Sequence, residues 1–353
     1  MPDIDVSTQS PVLVTGATGY VAGWIVRRLL EAGATVHATV RDPENKLKVA
    51  HLTEIAEAAP DTLKLFKADL MDNGSFAEAM AGCGVVFHTA SPFTVNVADA
   101  QKELIDPAVS GTRNVLEQAN RTESVTRVVL TSSCAAIYAD AQDTQDAPGH
   151  RITEDVWNTT ATLDYQPYSL SKTLAEKAAW EIARDQNRWR LVVVNPSLVI
   201  GPSVQASPTS ESFNLIRMLG DGSMKMGAPR MSFGAVDVRD LARAHLAAAF
   251  LADAEGRHII SGHETDALEM GLLLRPKFGE DFPLAKRAMP KWLVWLAGPS
   301  QGIDRKFVSR NVNVPWRADN SKGIAALGMT YRPLQQSLED MFSKMIKDGW
   351  FQP

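Results

Sequence analysis

Residues 11–33 read PVLVTGATGYVAGWIVRRLLEAG, and their order decides the fold. Residues 11–15 form a short apolar strand, 16–23 a turn rich in small residues, and 24–32 a helical pattern that stops at Gly33. Strand, glycine turn and helix opening in succession are the context in which a dinucleotide fingerprint is credible. Gly16 permits the tight turn, and Gly19 lets backbone N–H groups approach a pyrophosphate at the positive end of the helix. Ala22 is the third small position, where helix and strand pack closely. A plain strand–helix turn is the competing reading, and the chain downstream has to weigh between the two.

That chain repeats the alternation. Residues 35–40, 63–68, 84–89, 127–130 and 190–194 read as strands, with 106–119 helical between two of them. The sixth strand has to stop at Pro196, which cannot donate to a ladder. Residues 233–239 return to the sheet region, Asp240 is an N-cap candidate for LARAHLAAAFLA, and 257–261 offers one more strand. The pattern predicts an α/β fold, a Rossmann-type doubly wound parallel sheet with its ligand at the carboxyl ends of the strands. Residues 1–200, with about 232–262, are expected to form the nucleotide-binding domain. Residues of about 203–231 and 263–353 are expected to form a smaller, mostly helical substrate-binding region.

Composition narrows the classes. A chain of 353 residues, 45% hydrophobic and 22% charged, is globular and long enough for a sizeable core. A net charge of -5 without a basic run argues against a nucleic-acid surface. Cys83 and Cys134 are too few for a disulfide framework, which points to a reducing, cytoplasmic compartment. The polar, acidic start is unlike a signal peptide. Apolar runs fall far short of the ~20 residues of a membrane helix, so WLVWL at 292–296 is expected to be core. His258 and His263 lack helical zinc spacing, so no metal is expected.

The chemistry gathers at strand ends. Arg41 ends the second strand, where an acidic residue would hold a ribose 2′-hydroxyl and an arginine suits a 2′-phosphate. Arg41, helped by Lys48, therefore argues for NADP over NAD; the alternative is a surface pair with Asp42 or another carboxylate. Asp69, followed by Leu70, is placed to accept from an adenine amino group. Thr89, Ala90 and Ser91 are small residues fitting a backbone that passes under a cofactor, whereas His88 just before them reads as a core histidine. Ser133 follows the fifth strand, where a hydroxyl can polarise a carbonyl or simply form a turn. Cys134 has no base placed for it and reads as packing, and the polar segment 139–164 reads as a loop over the site.

Residues 165–172 read YQPYSLSK. Tyr168 and Lys172 share one helix face, one turn apart, and Pro167 restricts the helix start to about Asp164, an N-cap type. A phenol with pKa near ~10 is a poor acid at neutral pH, and a lysine ammonium one turn away pulls it towards the useful range. A surface Tyr–Lys pair is the competing reading, and the upstream glycine turn tells against it.

TGATGYVAG (15–23), TVRDP (39–43), KADL (67–70), FHTASP (87–92), TSS (131–133), YSLSK (168–172) and NPSLVIGP (195–202) occur in the order of the extended short-chain dehydrogenase/reductases. The chain most resembles their dihydroflavonol 4-reductase-like carbonyl and aldehyde reductases. Tyr138 replaces an asparagine of the plant flavonoid enzymes, and DYQPY at 164–168 replaces the signature of cinnamoyl-CoA reductases. The resemblance implies a serine–tyrosine–lysine set at Ser133, Tyr168 and Lys172, with Lys172 also holding the cofactor ribose. It implies cofactor contacts at Gly16, Thr18, Gly19, Tyr20, Val21, Arg41, Lys48, Asp69, Leu70, Thr89, Ala90, Ser91, Tyr168, Lys172, Pro196, Ser197, Leu198 and Val199.

The combined expectation is reversible hydride transfer between NADP(H) and a small-molecule carbonyl, in a monomer or homodimer without nucleic-acid or membrane partners. Phe93, Tyr138, Met224 and Met226 are the pocket candidates, and their apolar character suggests an aromatic or branched aliphatic aldehyde or ketone. The rivals are an NAD-dependent sugar-nucleotide epimerase/dehydratase, a hydroxysteroid dehydrogenase, and a non-catalytic NADP-binding redox sensor.

Overall fold

Among the residues described by the computed structural model (4–6, 9–57, 62–91 and 97–351), seven parallel strands form the central sheet. In chain order the first half contains β1 (Val12–Thr15), α1 (Tyr20–Glu31), β2 (Val36–Val40), α2 (Lys46–Ala56), β3 (Leu63–Lys67), α3 (Ala77–Met80), β4 (Val85–His88), α4 (Asp106–Arg121), β5 (Arg127–Thr131), α5 (Ala141–Asp146), α6 (Pro167–Arg184) and β6 (Arg190–Pro196). There follow β7 (Leu198–Ile200), α7 (Glu211–Gly220), β8 (Ala228–Pro229), β9 (Ser232–Asp237), α8 (Val238–Phe250), β10 (Gly256–Ile260) and β11 (His263–Asp266). The chain ends with α9 (Ala267–Phe278), β12 (Ala288–Met289), α10 (Lys291–Ala297), α11 (Arg305–Asn311), α12 (Ser321–Leu327) and α13 (Leu334–Lys347). The sheet order is β10-β6-β5-β4-β1-β2-β3. It reverses between β1 and β4, which opens a crevice at their carboxyl ends.

Strand side chains alternate between two helical layers, as a sheet covered on both faces requires. Val12, Val14, Phe87, Val129, Val192 and Val194 face α1 and α8, where Ile25, Leu29 and Leu241 complete one core. Leu13, Val86, Val128, Leu191 and Val193 face α4 and α6, against Val115, Leu116 and Ile182. Pro196 ends β6, and the next strand, β7, joins a small second sheet of order β11-β9-β7. Helices α9–α13 and the β8–β12 pair make up most of the rest.

Four local expectations are corrected. Asp237, not Asp240, caps α8 through a bond from the Arg239 amide (2.8 Å), because β9 runs straight into the helix. Asp240 instead accepts from the Arg332 amide and guanidinium. Segment 139–164 is not simply a loop: it contains α5, whose buried cap Asp140 accepts from Arg310 Nε (2.8 Å) and Asn311 Nδ2 (2.6 Å) of α11. The WLVWL stretch is not core: only Val294 is buried, while Trp292 (64%) and Leu296 (56%) stand exposed. A seven-residue helix can turn only a narrow stripe inward, here towards Val308 and Val312. Finally, α6 starts at Pro167, three residues later than expected. Thr162 and Tyr165 close a tight turn by mutual backbone bonds (2.8 and 3.2 Å), Gln166 takes a left-handed conformation (φ 58°), and Pro167 opens the helix. No helix among the described residues is long and apolar enough to cross a membrane.

Candidate active site

The glycine turn lies in the crevice between β1 and β4. Gly16 has φ +64°, and a Cβ there would come within 3.0 Å of both Cα and Cβ of Ala90. Residues 15–16 and 89–90 are thus in close contact. Thr15 Oγ1 accepts from the amides of Thr89 and Ala90 (both 3.1 Å), and the Thr89 hydroxyl donates back to the Thr15 carbonyl. Gly16→Val is expected to lose on the order of 1–3 kcal/mol to backbone strain alone, seen as a lower thermal midpoint.

Gly19 caps α1 without any side-chain bond, and no acidic residue stands in the first turn. The amides opening the helix are therefore available to an anion, which is what a diphosphate needs. Thr18, Gly19 and Val21 are partly exposed along this opening. Tyr20, expected among the cofactor contacts, turns its ring into the core instead. Its hydroxyl donates to the Gly201 carbonyl (2.6 Å), its ring meets Phe213 edge-on, and burial pushes the phenol well above its ordinary pKa. Only its backbone faces the opening. Gly23 serves packing: a Cβ there would lie 2.6 Å from Val204, in the segment that follows β7.

Arg41 stands exposed after β2, with Lys48 exposed in the first turn of α2. Among the described residues no carboxylate pairs with Arg41, and Asp42 accepts instead from the Glu44 amide (3.0 Å). Asp69 is exposed after β3 and accepts from the Met71 amide (2.9 Å). Leu70 packs under Gly111 of α4. Pro196 is buried, Leu198 and Val199 are half-buried, and the Ser197 hydroxyl is buried with no hydrogen-bond partner among the described residues.

The Tyr–Lys face of α6 meets the same strand ends. Lys172 Nζ donates to Ser91 Oγ (2.8 Å) and lies 5.6 Å from the Tyr168 ring centroid. Tyr168 is 45% exposed, and its hydroxyl makes no hydrogen bond among the described residues. Tyr165 is a tether, its hydroxyl bonded to both oxygens of Asp140 (2.9 and 3.0 Å). Ser133 caps the 3₁₀ turn Cys134–Ala136, accepting from the Ala135 amide (3.1 Å), and this turn packs against α6. Burial pushes the Cys134 thiol far up, away from nucleophilic use. His88 is neutral core: it bonds Thr15 Oγ1 (3.0 Å), and burial, then the Lys172 charge, lowers its pKa to about 3.

The proposed pocket fares less well. Met224 is buried in the main core and Met226 is 66% exposed, because the chain around 222–229 is drawn against Pro283 and residues 287–289; the two do not form a common wall. Phe93 lies outside the described residues. Tyr138 is half-buried and packs edge-on to Trp316 (5.7 Å), a residue the sequence did not single out. Glu176 was also missed. Its signal was present: a carboxylate at i+4 from Lys172, on the helix face that also carries Ala179 and Trp180.

A model of the NAD dependent epimerase/dehydratase family matches residues 12–261, which span the whole central sheet. The chain belongs to that family. Within it, the chain is 38% identical to cinnamoyl-CoA reductase CAD2 of Medicago truncatula over 333 residues, covering 93% of each chain. It is 33% identical over 341 residues to a bifunctional dihydroflavonol 4-reductase/flavanone 4-reductase of Pyrus communis, covering 95% of this chain and 89% of the other. The yeast methylglyoxal/isovaleraldehyde reductase Gre2, solved with NADPH, superposes with TM-score 0.77 at 28% identity, covering 96% of this chain and 98% of that one. These likenesses put the chain among the extended short-chain dehydrogenase/reductases, in the dihydroflavonol 4-reductase-like branch, and it is an oxidoreductase.

Proposed function

We propose that this family member reduces aldehydes or ketones to alcohols with NADPH, and that its substrates are apolar or aromatic carbonyls. One observation carries the reading: the glycine turn and the Tyr–Lys helix meet at consecutive residues, Ala90 under Gly16 and Ser91 bonded to Lys172. A dinucleotide whose diphosphate lies at α1 then has its far end beside Tyr168. The residues fit such a group. No side chain caps the opening of α1, and Arg41 is exposed with no carboxylate spent on it among the described residues. Residues 1–200 with 232–262 hold the cofactor in this reading, and residues 203–231 and 263–353 hold the substrate.

NADPH, when bound, supplies the hydride. Ser133 donates to the carbonyl oxygen and steadies the charge growing there. Tyr168 gives that oxygen a proton, and Lys172 offsets the negative charge left on the phenol while its ammonium also reaches the ribose. Arg41 selects the 2′-phosphate.

Consumption of NADPH across a panel of aromatic and branched aliphatic aldehydes and ketones tests the proposal; a protein that leaves NADPH untouched throughout overturns it. Arg41→Ala is expected to narrow the preference for NADPH over NADH about 10- to 100-fold, the worth of a charge-assisted bond to phosphate. Titrating both cofactors against the parent and the variant measures this directly.

A further inference from the structure

A buried polar cluster lies behind the site and is used by no step above. Glu176, one helical turn beyond Lys172, is 1% exposed. Its Oε2 accepts from Ser132 Oγ (2.5 Å) and Asn195 Nδ2 (2.8 Å), and its Oε1 accepts from Arg257 Nε (2.6 Å) and Trp180 Nε1 (3.3 Å). Arg257, from β10, is itself held by the carbonyls of Glu154 and Val156 (both 2.7 Å) and stacks on Trp157 at 4.0 Å. The carboxylate takes four hydrogen bonds, one of them from a cation, while Asn195 Oδ1 and Arg257 Nη2 have no partner among the described residues; the bonds that are made hold these side chains together.

What it fixes is the turn after β5. Ser132 is bound by Glu176, the Ser133 carbonyl accepts from Asn195 Nδ2 (3.2 Å), and Cys134 Sγ donates to the Asn195 carbonyl (3.3 Å). Three consecutive residues are thus strapped to α6 and β6, while the Ser133 hydroxyl keeps its own proton free of the network. We infer that Glu176 is a positioning residue: through Ser132 and Asn195 it sets Ser133 in register with Tyr168 and Lys172, which ride on the same helix as Glu176. The role of the strap in turnover rests on the reductase reading; the strap itself does not.

Two substitutions in the full-length protein separate these. Glu176→Gln offers one acceptor oxygen where four donors converge and leaves Arg257 without its counter-ion. Ser132→Ala removes a single strap and keeps the ion pair, so it answers the question if the first variant does not fold. Amide hydrogen exchange at 132–135 is expected to accelerate in both, while exchange at 16–20 and NADPH affinity by nicotinamide fluorescence stay at parent values. In an active parent background kcat is expected to fall about tenfold to a hundredfold with little change in KM for NADPH, the scale of a misplaced reacting group. Unchanged exchange at 132–135 in a folded variant overturns the strap, and unchanged kcat overturns its role in turnover. A parent that reduces no carbonyl overturns the reductase reading alone, and the exchange measurement still decides the strap.

Discussion

Tyr168→Phe is expected to fold normally, to bind NADPH as the parent does, and to lose about 10²- to 10⁴-fold in turnover, the usual contribution of a positioned acid. Folding is spared because the phenol oxygen has no partner within the described residues and the ring is 45% exposed, so its removal strands no donor or acceptor. Cofactor binding is spared because Lys172 keeps its bond to Ser91. Stopped-flow or steady-state NADPH oxidation, set beside fluorescence titration of the cofactor, distinguishes a chemical loss from a binding loss. Parent-like turnover in this variant would remove the phenol from the mechanism.

Acid sensitivity is the second large effect. His88 has its pKa lowered to about 3 by burial and then by Lys172; His245 is lowered to about 4 by burial, partly opposed by its bond to the Leu241 carbonyl; His258 is lowered to about 4 by burial and then by Lys322. All three are neutral in the folded chain, whereas in the unfolded chain each takes a proton near its ordinary 6.5. Between 6.5 and the folded values the unfolded state therefore binds more protons. Stability is full above 6.5 and falls as the pH drops towards 4, by about 1.4 kcal/mol per unit for each histidine. Glu154 and Glu264, raised by burial, act in the opposite direction. Against a total stability of about 5–15 kcal/mol the histidines are decisive. Urea midpoints are expected to be flat above neutrality and to drop steeply below about pH 6. A midpoint that holds steady down to about pH 5 would show that these imidazoles are protonated in the fold.

The sheet was legible because its signals are local. VLVT, VVFH and RLVVVN are short apolar runs bounded by turn residues, and each became a strand close to its expected limits. The glycine turn was legible for the same reason: Gly16 needs its positive φ whatever surrounds it. Arrangements that depend on distant partners were not legible. No pattern near Asp140 announces Arg310 and Asn311, about half the chain away. The start of α6 was misplaced because the bridge between Thr162 and Tyr165 competes with the capping potential of Asp164, and a tertiary bond from Tyr165 to Asp140 favours the bridge. WLVWL looked like core because its composition says nothing about which side of a seven-residue helix meets the body of the protein. Glu176 was hidden by the habit of reading a helical carboxylate as solvated, when three donors from other parts of the chain had been brought around it, beside Trp180 of its own helix.

The Asp140 knot bears on how relatives can be recombined. Its carboxylate ties Tyr165, three residues ahead of Tyr168, to Arg310 and Asn311 in the last quarter of the chain. A chimera that grafts a foreign tail beyond about residue 300 inherits the anion but not its two wardens. Exchanging tails to alter substrate choice thus becomes an exchange of hinge and latch as well, and grafts that carry an arginine and an asparagine to those two places should be the ones that survive.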